Sequence, residues 1–403
     1  MSTPMQHWGD YDRDDPYPLF AEALAKGPVH EVVLADGHHA MLVLGYDAAR
    51  EALNHPDLSK DMLAALDRSG AVVAEGLPGR DYARHMLSVD PPDHTRLRSL
   101  ITPAFTRTRL TALEPVIRET AAQLLDDLGA RKGPVDLVAG FALPLPFGVI
   151  GGLLGLSHAD QAQLADWFAI LFTPYVGDQP PTAAVHASNQ IVTFLNELVD
   201  ARTQTETDDV VGDLVRAAQR GDLDRTELLS SLFQLIVAGH HTTSSLIGNG
   251  VAALLSHPEQ LDVLVADPAL VPAAVEEFLR YDAAVPHATF RYAARDVTIA
   301  GTAIPAGMQV LVNLAAAGRD PQRHADADRL HVRRAATDHL AFGHGIHHCL
   351  GARLARLEAV IAFTELLARF PHLRLAVDRG QLRWDHGDGL VLRGLTELPV
   401  HLR

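Results

Sequence analysis

Apolar residues recur every three or four positions between about residues 103 and 281, which is the spacing of amphipathic α-helices. The clearest segments are LEPVIRETAAQLLDDLGA and IVTFLNELVDARTQ. A third segment, LLSSLFQLIVAGHHTTSSLIGNGVAALLSH, is apolar on nearly every side and follows Asp224 to Glu227 (DRTE), a helix-capping pattern. We predict that this third segment forms a long helix through the centre of the molecule.

Strand patterns lie on both sides of the helical region. Near the N-terminus, Val29–Leu34 and Ala40–Leu44 enclose Asp36-Gly37, a dipeptide typical of hairpin turns. After Asp296, the segment DVTIAGTAIPAGMQVLVN predicts strands, and LRLAV and LVLRGL predict two more near the C-terminus. The chain is therefore predicted to be mainly α with a smaller β portion, an α+β fold.

One stretch has the nominal length of a membrane span, because residues 137–156 contain no charged side chain. The same stretch contains Pro144, Pro146 and five glycines. Prolines in its middle would remove backbone hydrogen-bond donors, which a span in lipid cannot spare. We therefore predict two short buried helices, broken at Leu-Pro-Leu-Pro, and no membrane segment.

Composition narrows the class of protein. Lys and Arg number 34 and Asp and Glu number 50, which gives a formal net charge of −16, the wrong sign for a nucleic-acid binder. Hydrophobic residues make up 47% and charged residues 21%, the balance of a soluble globular protein. One cysteine excludes an internal disulfide, and the N-terminal sequence has no signal-peptide pattern. We expect a cytoplasmic protein.

The single cysteine, Cys349, lies in the glycine-rich segment FGHGIHHCLG. It could be a buried small hydrophobic residue, as lone cysteines often are. It could bind zinc together with His344, His347 and His348. It could also be a thiolate ligand of haem iron, since glycines allow close approach to a flat ring and the sequence after Cys349 predicts a helix whose N-terminus favours thiolate.

The segment resembles the haem-binding loop of the cytochrome P450 superfamily, the haem-thiolate monooxygenases. The resemblance covers nearly the whole chain from about Tyr17. It implies a cytochrome P450 fold in one domain over residues 1–403, a monomer with haem b between the long central helix and the cysteine loop. It also implies that Cys349 binds the iron. The loop positions that match the family are Phe342, Gly343, Gly345, His347, Cys349 and Gly351.

His94 and Arg98 are four residues apart, so a helix would place them on one face. Alone, such a pair would be assigned to the surface. The resemblance implies instead that His94 and Arg98, together with Arg291 and His347, hold the haem propionates, because carboxylates beside a buried ring require hydrogen-bond donors.

Glu277 and Arg280 lie three residues apart in the segment EFLR. A solvated surface pair is the ordinary interpretation of this spacing. The resemblance implies a buried structural network that includes an arginine matched here by Arg329.

Polar residues interrupt the centre of the long apolar helix at Ala238-Gly239-His240-His241-Thr242. Thr242 could bond the carbonyl of Ala238 and bend the helix, as in any core. The resemblance implies that Ala238 and Gly239 form an oxygen-binding groove and that Thr242 orders proton delivery. Family members usually carry an acid where this chain has His241. We predict that His241 relays protons in its place.

The resemblance implies a monooxygenase that uses O2 to hydroxylate an apolar substrate of steroid, macrolide, polyketide or terpenoid type. The sequence has no GxGxxG motif after a strand. Electrons are therefore expected from an outside donor. The resemblance implies that they come from NAD(P)H through ferredoxin reductase and ferredoxin, docking near Arg353 and Arg356. A peroxide-driven peroxygenase and a non-catalytic haem sensor or carrier are the alternatives. The predicted pocket walls are residues 61–86, 168–185, 285–289 and 389–391 and the central helix.

Overall fold

The computed structural model describes residues 5–9, 11–35, 37–61, 82–171, 181–335, 338–384 and 390–403. Parts of three predicted pocket walls, residues 62–81, 172–180 and 389, lie outside these ranges. The helices are α1 (Tyr17–Lys26), α2 (Tyr46–Asn54), α3 (Asp93–Ile101), α4 (Arg107–Gly129), α5 (Pro144–Leu153), α6 (His158–Leu171), α7 (Thr182–Gln204), α8 (Val210–Gln219), α9 (Arg225–Leu255), α10 (Pro258–Ala266), α11 (Val271–Tyr281), α12 (Leu314–Gly318) and α13 (Ala352–Arg369).

In these ranges the strands are short and belong to three sheets. They are β1 (Met5–Trp8), β2 (Val29–Leu34), β3 (His39–Val43), β4 (Leu58–Ser59), β5 (Val135–Asp136), β6 (Arg291–Ala293), β7 (Val297–Ile299), β8 (Thr302–Ile304), β9 (Gln309–Val312), β10 (Arg374–Leu375) and β11 (Pro399–His401). One sheet has the order β1-β2-β3-β9-β6-β4, a second has β10-β11-β5, and β7 pairs with β8. The mainly helical α+β prediction is confirmed.

The long central helix forms as predicted. Helix α9 spans 31 residues, and Asp224 and Glu227 form a reciprocal capping box at its start. Most of its residues between Leu228 and Leu254 are buried, and it packs against α5, α11 and α13. The guanidinium of Arg96 on α3 donates to both carboxylate oxygens of Glu227, at 2.6 and 3.0 Å. The capping box therefore also fixes α3 against the start of α9.

The uncharged stretch forms two short helical pieces. A π-helical turn, Val138–Ala142, is followed by α5, whose first residue is Pro144. Proline is tolerated there because the first turn of a helix leaves its N–H groups unbonded. Within the described ranges, no helix has the length and apolar character needed to cross a membrane.

The hairpin prediction is confirmed, because β2 and β3 pair in antiparallel register from Val29 with Val43 to Val33 with His39. The strand predicted at LVLRGL is wrong. Its Leu390 carbonyl accepts from His287, the Arg393 N–H donates to Ala284, and only Leu395 forms an isolated bridge. Each of these hydrogen bonds joins the segment to a different part of the chain, so the repeated pairing of a β-ladder does not form.

Candidate active site

The cysteine loop depends on two glycines with positive φ, Gly343 at 72° and Gly345 at 75°. The Cys349 N–H donates to the Phe342 carbonyl at 2.9 Å and closes the loop. A Cβ on Gly345 would lie 2.9 Å from Asn54 Oδ1, so this glycine allows the loop to approach α2. We predicted that the glycines allow approach to a flat ring. At Gly345 the close neighbour is a helix of the protein itself.

The Cys349 side chain is exposed, and α13 begins just after it. Desolvation by the surrounding protein raises the pKa of the thiol, whereas the Gly351 N–H and the charge of Arg98 lower it. The N–H groups at the start of α13 therefore act on the thiol in the predicted direction, and desolvation opposes them. A metal cation bound to the sulfur would deprotonate the thiol outright.

The neighbouring histidines do not converge on the sulfur as a zinc site would require. His344 accepts from Arg50 at 3.3 Å, and the His347 ring lies 4.3 Å from the ring of His94. In the described part of the chain, no group of three or more His, Cys, Asp or Glu side chains is arranged to hold a metal ion.

Helix α3 brings His94 and Arg98 to the cysteine loop. Arg98 Nη2 donates to the His348 carbonyl at 2.8 Å. His94 is buried, and neither its ring nitrogens nor His347 Nε2 has a hydrogen-bond partner among the described residues. Burial and the charge of Arg98 lower the pKa of His94, whereas Asp90 and the Ile346 backbone oppose that shift.

Two buried cations lie beside these histidines. Arg291, on β6, is 4% exposed, and burial lowers its pKa to about 10. Lys60, just after β4, is 5% exposed, and both cations depress the pKa of His347, which burial and its neighbours lower to about 2. His85 also lies in the field of Lys60, and burial lowers its pKa to about 4.

The sequence analysis missed Lys60 and His85. Only the pairing of β4 with β6 brings Lys60 to this place, and no spacing in the sequence reveals that pairing. The structure therefore brings His94, Arg98, Arg291 and His347 together as predicted, and it adds two residues.

The centre of α9 presents one open face. Ala238 is exposed and Thr242 is half-buried, whereas His240 and Thr243 are buried. Thr242 Oγ1 donates to the Ala238 carbonyl at 2.7 Å, and α9 continues unbroken through this point. The local hydrogen bond that any core threonine could make is therefore present, on the face that is not packed.

Gly239 and His240 belong to the packed side of α9. A Cβ on Gly239 would lie 2.9 Å from Ile150 Cδ1, so this glycine permits the approach of α5. His240 Nδ1 donates to the Ile236 carbonyl, and burial lowers its pKa to about 3. The His241 ring lies 4.0 Å from that of His240, next to Thr242 in the chain. Of the predicted groove, Ala238 faces open space and Gly239 serves packing.

Known proteins decide the family. A family model for cytochrome P450 matches residues 264–392. Cytochrome P450 107B1 of Saccharopolyspora erythraea is 42% identical, covering 93% of this chain and 92% of its own length. The monooxygenase PikC of Streptomyces venezuelae is 42% identical over 100% of this chain and 95% of its own. The solved structure of the tirandamycin C-bound monooxygenase TamI has a TM-score of 0.89, 41% identity and coverage of 99% and 100%.

The chain belongs to the cytochrome P450 family. Its relatives are named as monooxygenases and hydroxylases, so the chain is an enzyme of that type and the non-catalytic sensor or carrier is set aside.

The residues fit the haem that cytochrome P450 membership implies. Buried histidine nitrogens without partners and guanidinium groups beside them require an acceptor, and carboxylates supply one. The exposed Cys349 sulfur lies near the same cluster. Burial lowers the pKa of Arg98, and the charge of Cys349 opposes that shift. A thiol and groups able to bind carboxylates thus lie side by side, as a haem with two propionates would need.

The Glu277–Arg280 pair is buried, as cytochrome P450 membership leads us to expect. Arg280 donates to both Glu277 oxygens, at 2.7 and 2.8 Å. Arg329 was predicted as the third member, but its side chain is exposed and only its carbonyl takes part. Arg334 takes that place, donating from Nε to both Glu277 oxygens at 3.2 and 3.1 Å.

Arg356 was predicted to offer positive charge to a redox partner. In this cytochrome P450 its guanidinium bonds both oxygens of Glu276, at 2.6 and 2.9 Å, and lies 4.4 Å over the Phe342 ring. It therefore anchors the cysteine loop to α11. Arg353 remains exposed.

Proposed function

We propose that the chain inserts one oxygen atom of O2 into an apolar, medium-sized organic substrate, usually as a hydroxylation. The observation that carries the proposal is an exposed Cys349 sulfur near buried histidine nitrogens that have no hydrogen-bond partner among the described residues. The cytochrome P450 family and the chemistry of the site support the same reaction, because a thiolate ligand favours O–O cleavage at haem iron.

Haem b is the proposed cofactor, with Cys349 as the iron ligand. His94, Arg98, Arg291 and His347 hold its propionates, and Phe342, Gly343 and Gly351 shape the loop beneath it. When bound, the haem supplies the redox chemistry that activates O2. The protein supplies the iron ligand and the charged groups that fix the ring.

Proton delivery is assigned to α9. Thr242 holds its hydroxyl at the Ala238 carbonyl on the open face of the helix, where it can order a water molecule. His241 precedes it, and a histidine can both accept and donate a proton near neutral pH. We assign His241 the relay from solvent and Thr242 the final donor position.

The substrate is proposed to be a macrolide or other polyketide. Relatives over nearly the whole chain include 6-deoxyerythronolide B hydroxylase of Saccharopolyspora erythraea, 40% identical, and the mycinamicin IV hydroxylase/epoxidase of Micromonospora griseorubida, 39% identical. A vitamin D(3) 25-hydroxylase of Pseudonocardia autotrophica is 41% identical, so steroid-like molecules remain among the candidate substrates. A terpenoid relative, pentalenic acid synthase, is 38% identical.

Electrons are proposed to come from NAD(P)H through ferredoxin reductase and ferredoxin. Arg353 on α13 and Arg50 on α2 are exposed near the cysteine loop, and Ile346 within the loop is 51% exposed. Positive charge around an apolar residue suits an acidic electron carrier. The enzyme is proposed to act as a single-domain monomer in the cytoplasm, where its thiol stays reduced.

A spectrum and a turnover assay test these assignments. Reduced enzyme with carbon monoxide should show the strongly red-shifted absorption of thiolate-ligated haem, and Cys349→His should abolish it while haem remains bound. An unchanged spectrum in that variant removes Cys349 from the iron. Product formed with ferredoxin, its reductase and NADPH, but not with peroxide alone, supports the monooxygenase over the peroxygenase.

A further inference from the structure

Two buried cations face each other across neighbouring strands. Strands β4 and β6 pair in antiparallel register, with Leu58 opposite Ala293 and Ser59 opposite Tyr292. The next position in this register places Lys60 opposite Arg291. Like charges directly opposite each other in a sheet are destabilising, and these two are almost fully buried. Such a pair needs a compensating anion.

The hydrogen bonds of the Lys60 ammonium are made within the protein. Nζ donates to the carbonyls of Thr289 and Phe290, both at 3.0 Å, and also contacts Thr289 Oγ1. Three acceptors match the three donors of a charged ammonium. The Lys60 ammonium thus binds the two residues that precede Arg291 in the chain. It can contribute positive charge to the site, but it has no N–H left to donate to a ligand.

The protein's own anion does not balance this cluster. The charged groups that act on His94 and His347 are Lys60, Arg98, Arg291 and Asp90, three cations and one carboxylate. Cationic side chains therefore outnumber carboxylates among these groups. Asp90 is already engaged, because it accepts from the Ser59 hydroxyl and from the Lys60 backbone N–H. Burial and the charge of Arg291 lower the pKa of Lys60 well below its usual range, and Asp90 opposes that shift. A carboxylate bound beside Lys60 and Arg291 would favour the charged form of Lys60.

We propose that Lys60 is a further positioning residue for haem, which holds Arg291 in place and balances one propionate charge from behind it. The inference rests on the proposed haem site. A purely structural alternative assigns Lys60 only the task of tying β4 to residues 289 and 290.

Three substitutions separate charge from structure. Lys60→Gln removes the charge and keeps amide donors for the Thr289 and Phe290 carbonyls. Lys60→Met removes both, and Lys60→Arg keeps the charge. Lys26→Met is the matched control, because Lys26 is exposed and only pairs with Glu22 on the same helix.

The measurement compares two ligands on each full-length variant. Apoprotein is reconstituted with haem and, separately, with haem dimethyl ester, which lacks the propionate charges, and both dissociation constants are determined. The ratio of the two constants cancels any loss of folding in the variant. We expect the preference for haem over its ester to fall roughly tenfold in Lys60→Gln and Lys60→Met, and to persist in Lys60→Arg and Lys26→Met.

A second signal is the reduction potential of the haem-loaded variants. Removing a positive charge near the ring favours the ferric state, so the potential should fall in Lys60→Gln and stay near wild type in Lys60→Arg. An unchanged ligand preference and potential in Lys60→Gln would show that Lys60 acts only as a clamp. If the wild-type chain itself shows no thiolate-ligated haem, the proposed function fails first, and that outcome is distinct.

Discussion

Two buried charged clusters in this enzyme differ in how completely their hydrogen bonds are made. Around Glu277, each carboxylate oxygen accepts from Arg280 and Arg334, and the His331 N–H adds a further bond. Around His347, histidine nitrogens have no partner among the described residues, and cations outnumber carboxylates. A closed network of this kind serves structure, whereas an open one indicates a ligand of complementary charge.

The largest expected effect comes from opening the closed cluster. Glu277→Ala leaves the buried guanidinium of Arg280 without its carboxylate, which costs roughly 3–5 kcal/mol of folding free energy. We expect little folded protein, measured by soluble yield and thermal unfolding. Exposed Glu22→Ala is the control, since Glu22 pairs only with Lys26 on the surface. Normal yield and haem content in Glu277→Ala would contradict the comparison.

A third buried polar cluster, around His287, allows the comparison of closed and open clusters to be tested by changing the pH. His287 Nε2 accepts from Trp8 Nε1 and Asn313 Nδ2, its Nδ1 donates to the Leu390 carbonyl, and burial lowers its pKa to about 4. The unfolded chain binds a proton near pH 6.5, so this stabilisation is present above that pH and is lost as pH falls toward 4.

The expected loss from His287 is about 3 kcal/mol between pH 6.5 and 4, since each pKa unit is worth about 1.4 kcal/mol. Denaturant unfolding of wild type and His287→Gln across this range measures it, and the variant should show a shallower slope. Equal slopes would mean that His287 does not titrate as the geometry requires.

A smaller effect is expected from simplifying the open cluster. His94→Phe removes ring nitrogens that have no protein partner, so the free energy of unfolding of the apoprotein should change by less than about 1 kcal/mol. Haem affinity should fall roughly tenfold, because a hydrogen bond to a charged propionate is lost. Haem titration and apoprotein unfolding provide the two readouts. A severe loss of apoprotein stability would place His94 with the closed clusters.

The smallest effect concerns proton delivery on α9. His241→Ala should lower product formed per electron pair roughly twofold and raise peroxide release, and Thr242→Ala should do so at least as strongly. His240→Gln provides a matched neighbour, because His240 is buried on the packed side of the helix. If His241→Ala forms as much product per electron pair as the wild type across neutral pH, His241 does not relay protons.

The helices could be predicted well from the sequence, because residues such as Leu228, Leu232 and Leu235 repeat at helical spacing and Asp224 marks the start of α9. It also pointed to the cysteine loop, whose glycines and sulfur are local in the chain. It could not place Arg334 beside Glu277 or Lys60 beside Arg291, since those contacts depend on long-range packing. It also failed at residues 390–395, a mostly apolar segment that is held by single hydrogen bonds and forms no strand ladder.

The facing of Lys60 and Arg291 has a consequence for production of the enzyme in living cells. A ligand that binds only the native protein adds stability in proportion to the logarithm of its free concentration. Because uncompensated cations weaken the protein before its cofactor arrives, the amount of folded enzyme should follow the supply of haem precursor in the growth medium. Proteolysis of newly made chains would then be the process that precursor starvation accelerates.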